Sequence, residues 1–152
     1  MVVGYSLSSL PGVVGDFTTV PNAPSNSIQV LSMSTGAECA GTTCEVENLT
    51  FLKSPDGASP KLFLALITGT PYATAAFNFW EAPTSGVNYT KTYTVYLTQA
   101  KLTSSQISAA EAAAPAESVS LSFTTIAFQD NLSGGVSCYN VSTKATSGSL
   151  TC

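Results

Sequence analysis

The residues best placed to do chemistry are four cysteines, Cys39, Cys44, Cys138 and Cys152, spaced as a C-x4-C and a C-x13-C pair. Thiols hold zinc, act as nucleophiles or join as disulfides. Zinc sites more often use C-x2-C pairs, and no histidine is present to complete a ligand set. An even count in a charge-poor, Ser/Thr-rich chain favours disulfides and an oxidising compartment. Four cysteines allow three connectivities. The local pairs Cys39–Cys44 and Cys138–Cys152 are the favoured ones, and four free thiols in a cytosolic protein are the other reading.

The lack of histidine also excludes a Ser-His-Asp triad and a Cys-His dyad. A Ser–Lys nucleophile would need an S-x-x-K motif with supporting elements, and none stands out. Glycoside hydrolysis needs only two carboxylates. Of the nine present, Asp56, Glu81 and Glu117 fall near the ends of expected strands or of a helix. They read as solvated or capping groups, and Asp56-Gly57 as turn chemistry. Trp80 and the six tyrosines could line a sugar site, but aromatics in the core or at subunit contacts are the plainer reading. No phosphate loop or dinucleotide fingerprint occurs. The expectation is a protein that is not an enzyme and uses no cofactor and no metal.

A chain of 152 residues suits one domain, 1–152. Only 9% of its residues are charged, against about 25% in ordinary globular proteins. Ser and Thr supply roughly a quarter of the chain and much of its polar surface. With net charge −4 there is little self-repulsion to oppose close packing against copies of itself. Five lysines and no arginine give no basic patch, so nucleic acid is not an expected partner. The apolar run Leu62–Ile67 is far too short to span a membrane. The N-terminus lacks a basic region and a sustained apolar stretch, so export without a standard signal, or a mature chain, is expected. Asn-x-Ser/Thr sites occur at Asn48, Asn88, Asn131 and Asn140 and matter only in a glycosylating host.

Most elements that must position these residues read as short strands. Tyr5–Leu10 is an expected strand, closed by a turn at Pro11, Gly12 and Gly15. Ser27–Ser34 alternates, with Ile28, Val30 and Ser32 on one face and Leu31 and Met33 on the other. The segment "TGAECAGTTCE" is a long loop or a ribbon tip, and Glu45–Leu52 resumes as a strand. Then comes one helix. Ser59 is the expected N-cap, Pro60 the first helical residue and Gly69 the C′ residue. Leu62, Phe63, Leu66 and Ile67 form the expected buried face. About ten residues are too few to be stable alone, so the helix must pack on β-structure. Beyond it, "YATAAFNFWEA" and "VNYTKTYTVYLTQAKLTSS" read as strands, and "SAAEAAAPA" as a helical turn or a loop. "ESVSLSFTTIAF" is a core strand, with Val119, Leu121 and Phe123 opposite Ser118, Ser120 and Ser122. "SGGVSCYNVS" and "GSLTC" form an expected closing hairpin. The sum is a mainly β fold, an antiparallel barrel or sandwich with one flanking short α-helix.

The order of these features resembles the Hcp (haemolysin-coregulated protein) family, the tube protein of bacterial type VI secretion. "YSLSSLPGVVG" is similar to that family's first strand and turn, and "SIQVLSMSTG" to its I-x-V-L-S-W-S-x-G strand. "VENLTFLKSPDGASPKLFLALITG" resembles its V-x-D-x-x-F-x-K-x-x-D-x-x-S-P-x-L block, with Phe51, Lys53, Asp56, Ser59, Pro60 and Leu62 in the matching places. "VYLTQAKLTSS" and "ESVSLSFTTIAF" resemble the last core strands. The resemblance implies a barrel of two sheets with the helix at its side, and six copies in a ring with rings stacked into a hollow tube. It implies that Thr35, Gly36, Ala37, Glu38, Ala40, Gly41, Thr42 and Thr43 lie in an extended loop that reaches a neighbouring ring.

Met33 stands where the family often has Trp, and Asn48 where it often has Asp. Typical members also carry more charge and few such cysteines. The leading expectation is a self-assembling structural subunit, secreted or extracellular, assembled in a bacterial cell before export. Its partners are copies of itself and cargo in the channel. The alternatives are a persistent extracellular filament without contractile machinery, and a secreted carbohydrate-binding β-barrel.

Overall fold

The computed structural model describes residues 2–8 and 13–152, and within 2–8 the side chain of Leu7 alone. The expected turn residues Pro11 and Gly12, and Leu10 before them, lie outside the described residues. The strands are β1 (Val2–Ser8), β2 (Ile28–Val30), β3 (Ser32–Ser34), β4 (Ala37–Ala40), β5 (Thr43–Val46), β6 (Leu49–Lys53), β7 (Tyr72–Glu81), β8 (Thr90–Ala110), β9 (Ala113–Ser122), β10 (Thr125–Asp130), β11 (Val136–Asn140) and β12 (Thr146–Ser147). The helix α1 (Ser59–Thr68) lies between β6 and β7.

All pairings are antiparallel. One sheet runs β12-β11-β10-β8-β7-β1-β2, and the other joins β3, β6, β9 and the far half of β8. β8 is long enough, at 21 residues, to belong to both. It turns the corner at Gln99, whose φ is +49°, between pairing with β7 up to Ala100 and pairing with β9 from Lys101. The second corner is Leu31. β2 pairs with β1, β3 pairs with β6, and the Leu31 N–H donates to the Leu52 carbonyl at 2.8 Å. Partner to partner, the path β1-β7-β8-β9-β6-β3/β2 returns to its start, which makes a barrel of two sheets.

The core fills this barrel. Leu7, Ile28, Val30, Leu49, Phe51, Leu62, Phe77, Val95, Leu97, Val119 and Leu121 are all buried, with Phe51 edge-on to Phe77 at 5.4 Å between ring centres. A second small cluster covers the outer side of β7, where Phe17 and Val20 pack against Trp80.

Six local expectations differ. The first strand is Val2–Ser8, set by pairing with both β2 and β7. Ser27–Ser34 does not keep one alternation. The corner at Leu31 flips the faces, so Val30 is buried, Met33 packs on the core and Leu31 is exposed. Glu45–Leu52 breaks at Glu47-Asn48 into β5 and β6. "SAAEAAAPA" is the tip of the β8–β9 hairpin, with Glu111 and Ala112 in the turn and Ala112 at φ +62°. Cross-strand pairing overrides alanine's helix preference there. "ESVSLSFTTIAF" divides into β9 and β10, and the partner of β11 is Thr146–Ser147, just before "GSLTC".

Gly15 sits where the loop crosses β2. An added Cβ would lie 2.5 Å from the Ile28 Cα and 2.5 Å from the Ser27 carbonyl oxygen. Both are backbone atoms that cannot swing away. Gly15→Ala should therefore lower stability in urea unfolding by about 1–3 kcal/mol. In the β10–β11 turn, Asp130 accepts bonds from the Ser133 hydroxyl and from the N–H groups of Leu132 and Ser133. The hydroxyl first, then the two N–H groups, hold its carboxyl below the ordinary aspartate value. A lowered carboxylate pKa stabilises the fold above the ordinary value, and that contribution fades as pH falls through the lowered one. A carboxyl-carbon NMR titration should place Asp130 below the usual aspartate midpoint, and Ser133→Ala should raise it.

Candidate functional site

Residues 49, 51 and 53 share one face of β6, and residues 117, 119 and 121 one face of β9. Leu49, Phe51, Val119 and Leu121 are apolar core, so Lys53 and Glu117 enter the core too, and both are 0% exposed. The strand register sets them directly opposite each other. Lys53 Nζ lies 2.9 Å from Glu117 Oε2 and 2.7 Å from Asp56 Oδ1. It also donates to the Ser54 carbonyl and to Ser59 Oγ, each at 2.9 Å. The Ser59 hydroxyl donates to Glu117 Oε2 at 2.6 Å and accepts the Asp56 N–H at 3.0 Å. A buried charge survives only when paired and hydrogen-bonded. Here the pairing links β6, β9, the 54–58 turn and the helix start.

This network corrects two readings. Ser59 is not the N-cap. Ala58 holds that position without a side-chain bond, and Ser59 is the first helical residue, followed by Pro60. Its hydroxyl is used by Lys53 and Glu117, while Asp56 Oδ1 accepts the Ala58 N–H at 2.9 Å. Glu117 is not solvated, because strand parity carries it inward with Val119 and Leu121. That parity was present in the sequence and would have revealed it. Both carboxylates are bound to one ammonium group, so the arrangement is a structural latch and not an acid–base pair around a cleft.

The helix buries Ser59, Leu62 and Ala65, with Leu66 partly buried against the core. Phe63 and Ile67, expected to be buried, are 56% and 67% exposed, and Leu64 is exposed beside them. The i, i+3 stripe through Ala65 faces β8, where small Ala65 allows close approach, and the larger residues turn outward. Gly69 is left-handed at φ +66°, and its N–H reaches Leu66 O at 3.2 Å.

The segment at 35–46 is a ribbon. Among the described residues β4 and β5 pair only with each other, with Ala37 opposite Val46, Glu38 opposite Glu45, Cys39 opposite Cys44 and Ala40 opposite Thr43. Gly41 and Thr42 make the turn, with Gly41 at φ +63°. Thr35 and Gly36 form the root, where the Glu47 N–H donates to the Gly36 carbonyl at 2.8 Å. Cys39 and Cys44 are joined across the ribbon, and Cys138 and Cys152 join β11 to the C-terminus. An apolar groove of about 360 Å³ runs between the ribbon root and β10–β11, lined by Ala37, Cys44, Val46, Ile126, Phe128 and Tyr139. A neighbouring cavity of about 600 Å³ is lined by Met33, Phe128 and the stacked pair Phe79–Tyr93, 5.6 Å between ring centres. Among the described residues no cluster of ligating side chains could hold a metal ion.

The family model for "Type VI secretion system effector, Hcp" matches residues 9–129. This chain belongs to the Hcp family. Hcp is the secreted tube protein of the type VI secretion system. Hcp1 from Salmonella typhimurium has a similar fold, with a TM-score of 0.81 at 21% identity over 95% of this chain and 99% of that one. Hcp2 from the same organism gives 0.76 at 23% identity over 93% and 98%. The secreted protein Hcp3 from Pseudomonas aeruginosa gives 0.75 at 16% identity over 90% and 98%. No curated protein matches the sequence. Lys53, Asp56 and Ser59 of the latch belong to the family block in the sequence, and Glu117 comes from the later ESVSL strand, so in this Hcp chain the two segments together encode a buried ionic joint. No helix among the described residues is long and apolar enough to cross a membrane.

Removing one partner of a buried ion pair strands the other charge. Lys53→Met should destabilise the Hcp domain by about 3–5 kcal/mol in denaturant unfolding. Lys53→Met with Glu117→Gln should cost less than the two single changes added together.

Proposed function

We propose that this chain is a structural subunit whose copies close into a ring, six by family expectation, and whose rings stack into a hollow tube. The ribbon is the observation that carries the reading. Among the described residues it is a two-stranded sheet with no other strand partner, and such a hairpin is marginal alone. Thr35, Gly36, Ala37, Glu38, Ala40, Gly41, Thr42 and Thr43 are assigned to contact with the next ring. The charge-poor surface and the exposed Phe63, Leu64 and Ile67 on α1 suit permanent contact between copies. The whole domain 1–152 acts by shape, with copies of itself as partners and cargo carried in the channel. No catalytic role is assigned.

A second reading is a persistent extracellular filament of the same fold. The two disulfides favour it, because they suit a tube that endures in an oxidising setting.

Sedimentation velocity tests the assembly directly. The wild type should sediment as rings and larger stacks. A variant with residues 37–46 replaced by a short Gly-Ser turn should sediment as rings alone. Monomers in both would contradict the proposal, and stacks in both would remove the ribbon from it.

A further inference from the structure

Two strands bonded only to each other make a weak sheet, and this ribbon has further reasons to open. Every side chain in β4 is exposed, and those of β5 are exposed or half-buried. Glu38 stands directly opposite Glu45, and like charges across a strand pair repel. The one strong bond across the ribbon is the covalent one, Cys39–Cys44, placed next to the glutamate pair and two residues from the turn. Its position also differs from that of the other disulfide. Cys39 is exposed, whereas Cys138 is buried in the sheet.

We propose that the Cys39–Cys44 disulfide is a reversible redox lock on the contact between rings, working against the Glu38–Glu45 repulsion. The inference rests on the stacked-ring reading above and adds its regulation. Closed, the disulfide holds the ribbon as one rigid projection. Opened, the ribbon frays and the stacks become short-lived. The reagent is a thiol reductant. One thiolate attacks a ribbon sulfur and displaces the other as a thiolate, and a second thiol resolves the mixed disulfide. The protein gains two electrons and two protons, and two thiols leave as one disulfide. A reducing cytoplasm therefore gives labile tubes, and an oxidising exterior gives durable ones. A ribbon already seated in a neighbouring ring is sheltered, so stacked protein should react more slowly than free rings.

The test uses the full chain. A low concentration of dithiothreitol opens the pair that contains the exposed Cys39, and mass spectrometry of alkylated peptides verifies that Cys39 and Cys44 are reduced while Cys138–Cys152 stays closed. Electron microscopy and pelleting then give tube length and the concentration at which tubes first form. Rings should persist, and that concentration should rise by at least about tenfold. The double variant Cys39→Ser/Cys44→Ser should behave like the reduced protein. Adding Glu45→Lys, which sets opposite charges across the ribbon, should recover most of the loss, as should high salt through screening. Equal tube length and threshold with Cys39 and Cys44 verified free would overturn the proposal. So would a Glu45→Lys variant that recovers nothing. Absence of rings in both redox states would instead overturn the stacked-ring reading, and the lock with it.

Discussion

A lysine and a glutamate sealed in an apolar barrel persist by pairing with each other and with the polar groups drawn in around them, and the Lys53–Glu117 pair determines where those other parts must go. Its geometry fixes the β6–β9 register, since a slip of β6 by one residue would turn Lys53 outward, bring Leu52 in and leave Glu117 buried without its partner. It draws Asp56 into the turn and Ser59 into the first turn of the helix. The helix then has one place to lie, along β8, with Leu62 and Ala65 against the core. A buried ion pair is weak evidence of net stability. Its contribution here is to define one arrangement of four segments that an all-apolar joint would leave less defined.

The barrel around this joint is closed by two strands that change sheets, at Gln99 and at Leu31. Each corner leaves one surface unsupported. Past the first, β8 and β9 run out as an arm to Glu111-Ala112. Past the second, the chain leaves β3 for the ribbon and exposes the apolar grooves at its root. Among the described residues the ribbon pairs with no third strand, and the outer side of α1 exposes Phe63, Leu64 and Ile67, so these are the surfaces that the proposed stacking would use. With only 9% of residues charged, these surfaces carry little charge to oppose contact between copies. The ribbon is the exception, with Glu38 facing Glu45.

The β-rich class, the single helix with its proline start and glycine end, and the family block were legible because each depends on local chemistry. The ribbon and its cysteines were legible as a candidate for the same reason. The inward Glu117 was missed because the residue was judged by type and not by its parity with Val119 and Leu121. The exposed side of α1 was misassigned because Leu62, Phe63, Leu66 and Ile67 satisfy an apolar stripe, and only the closeness of β8 selects Ala65 in place of Phe63. The hairpin at 109–114 was illegible because cross-strand pairing, absent from local sequence, outweighs the helix preference of alanine.

The most direct test is cryo-electron microscopy of the purified, unreduced protein across a range of concentrations. The account predicts rings stacked into hollow tubes, with the disulfide-closed ribbon of each subunit seated against the adjacent ring. Separate monomers at every concentration, or stacked rings in which the ribbon touches no neighbour, would contradict it.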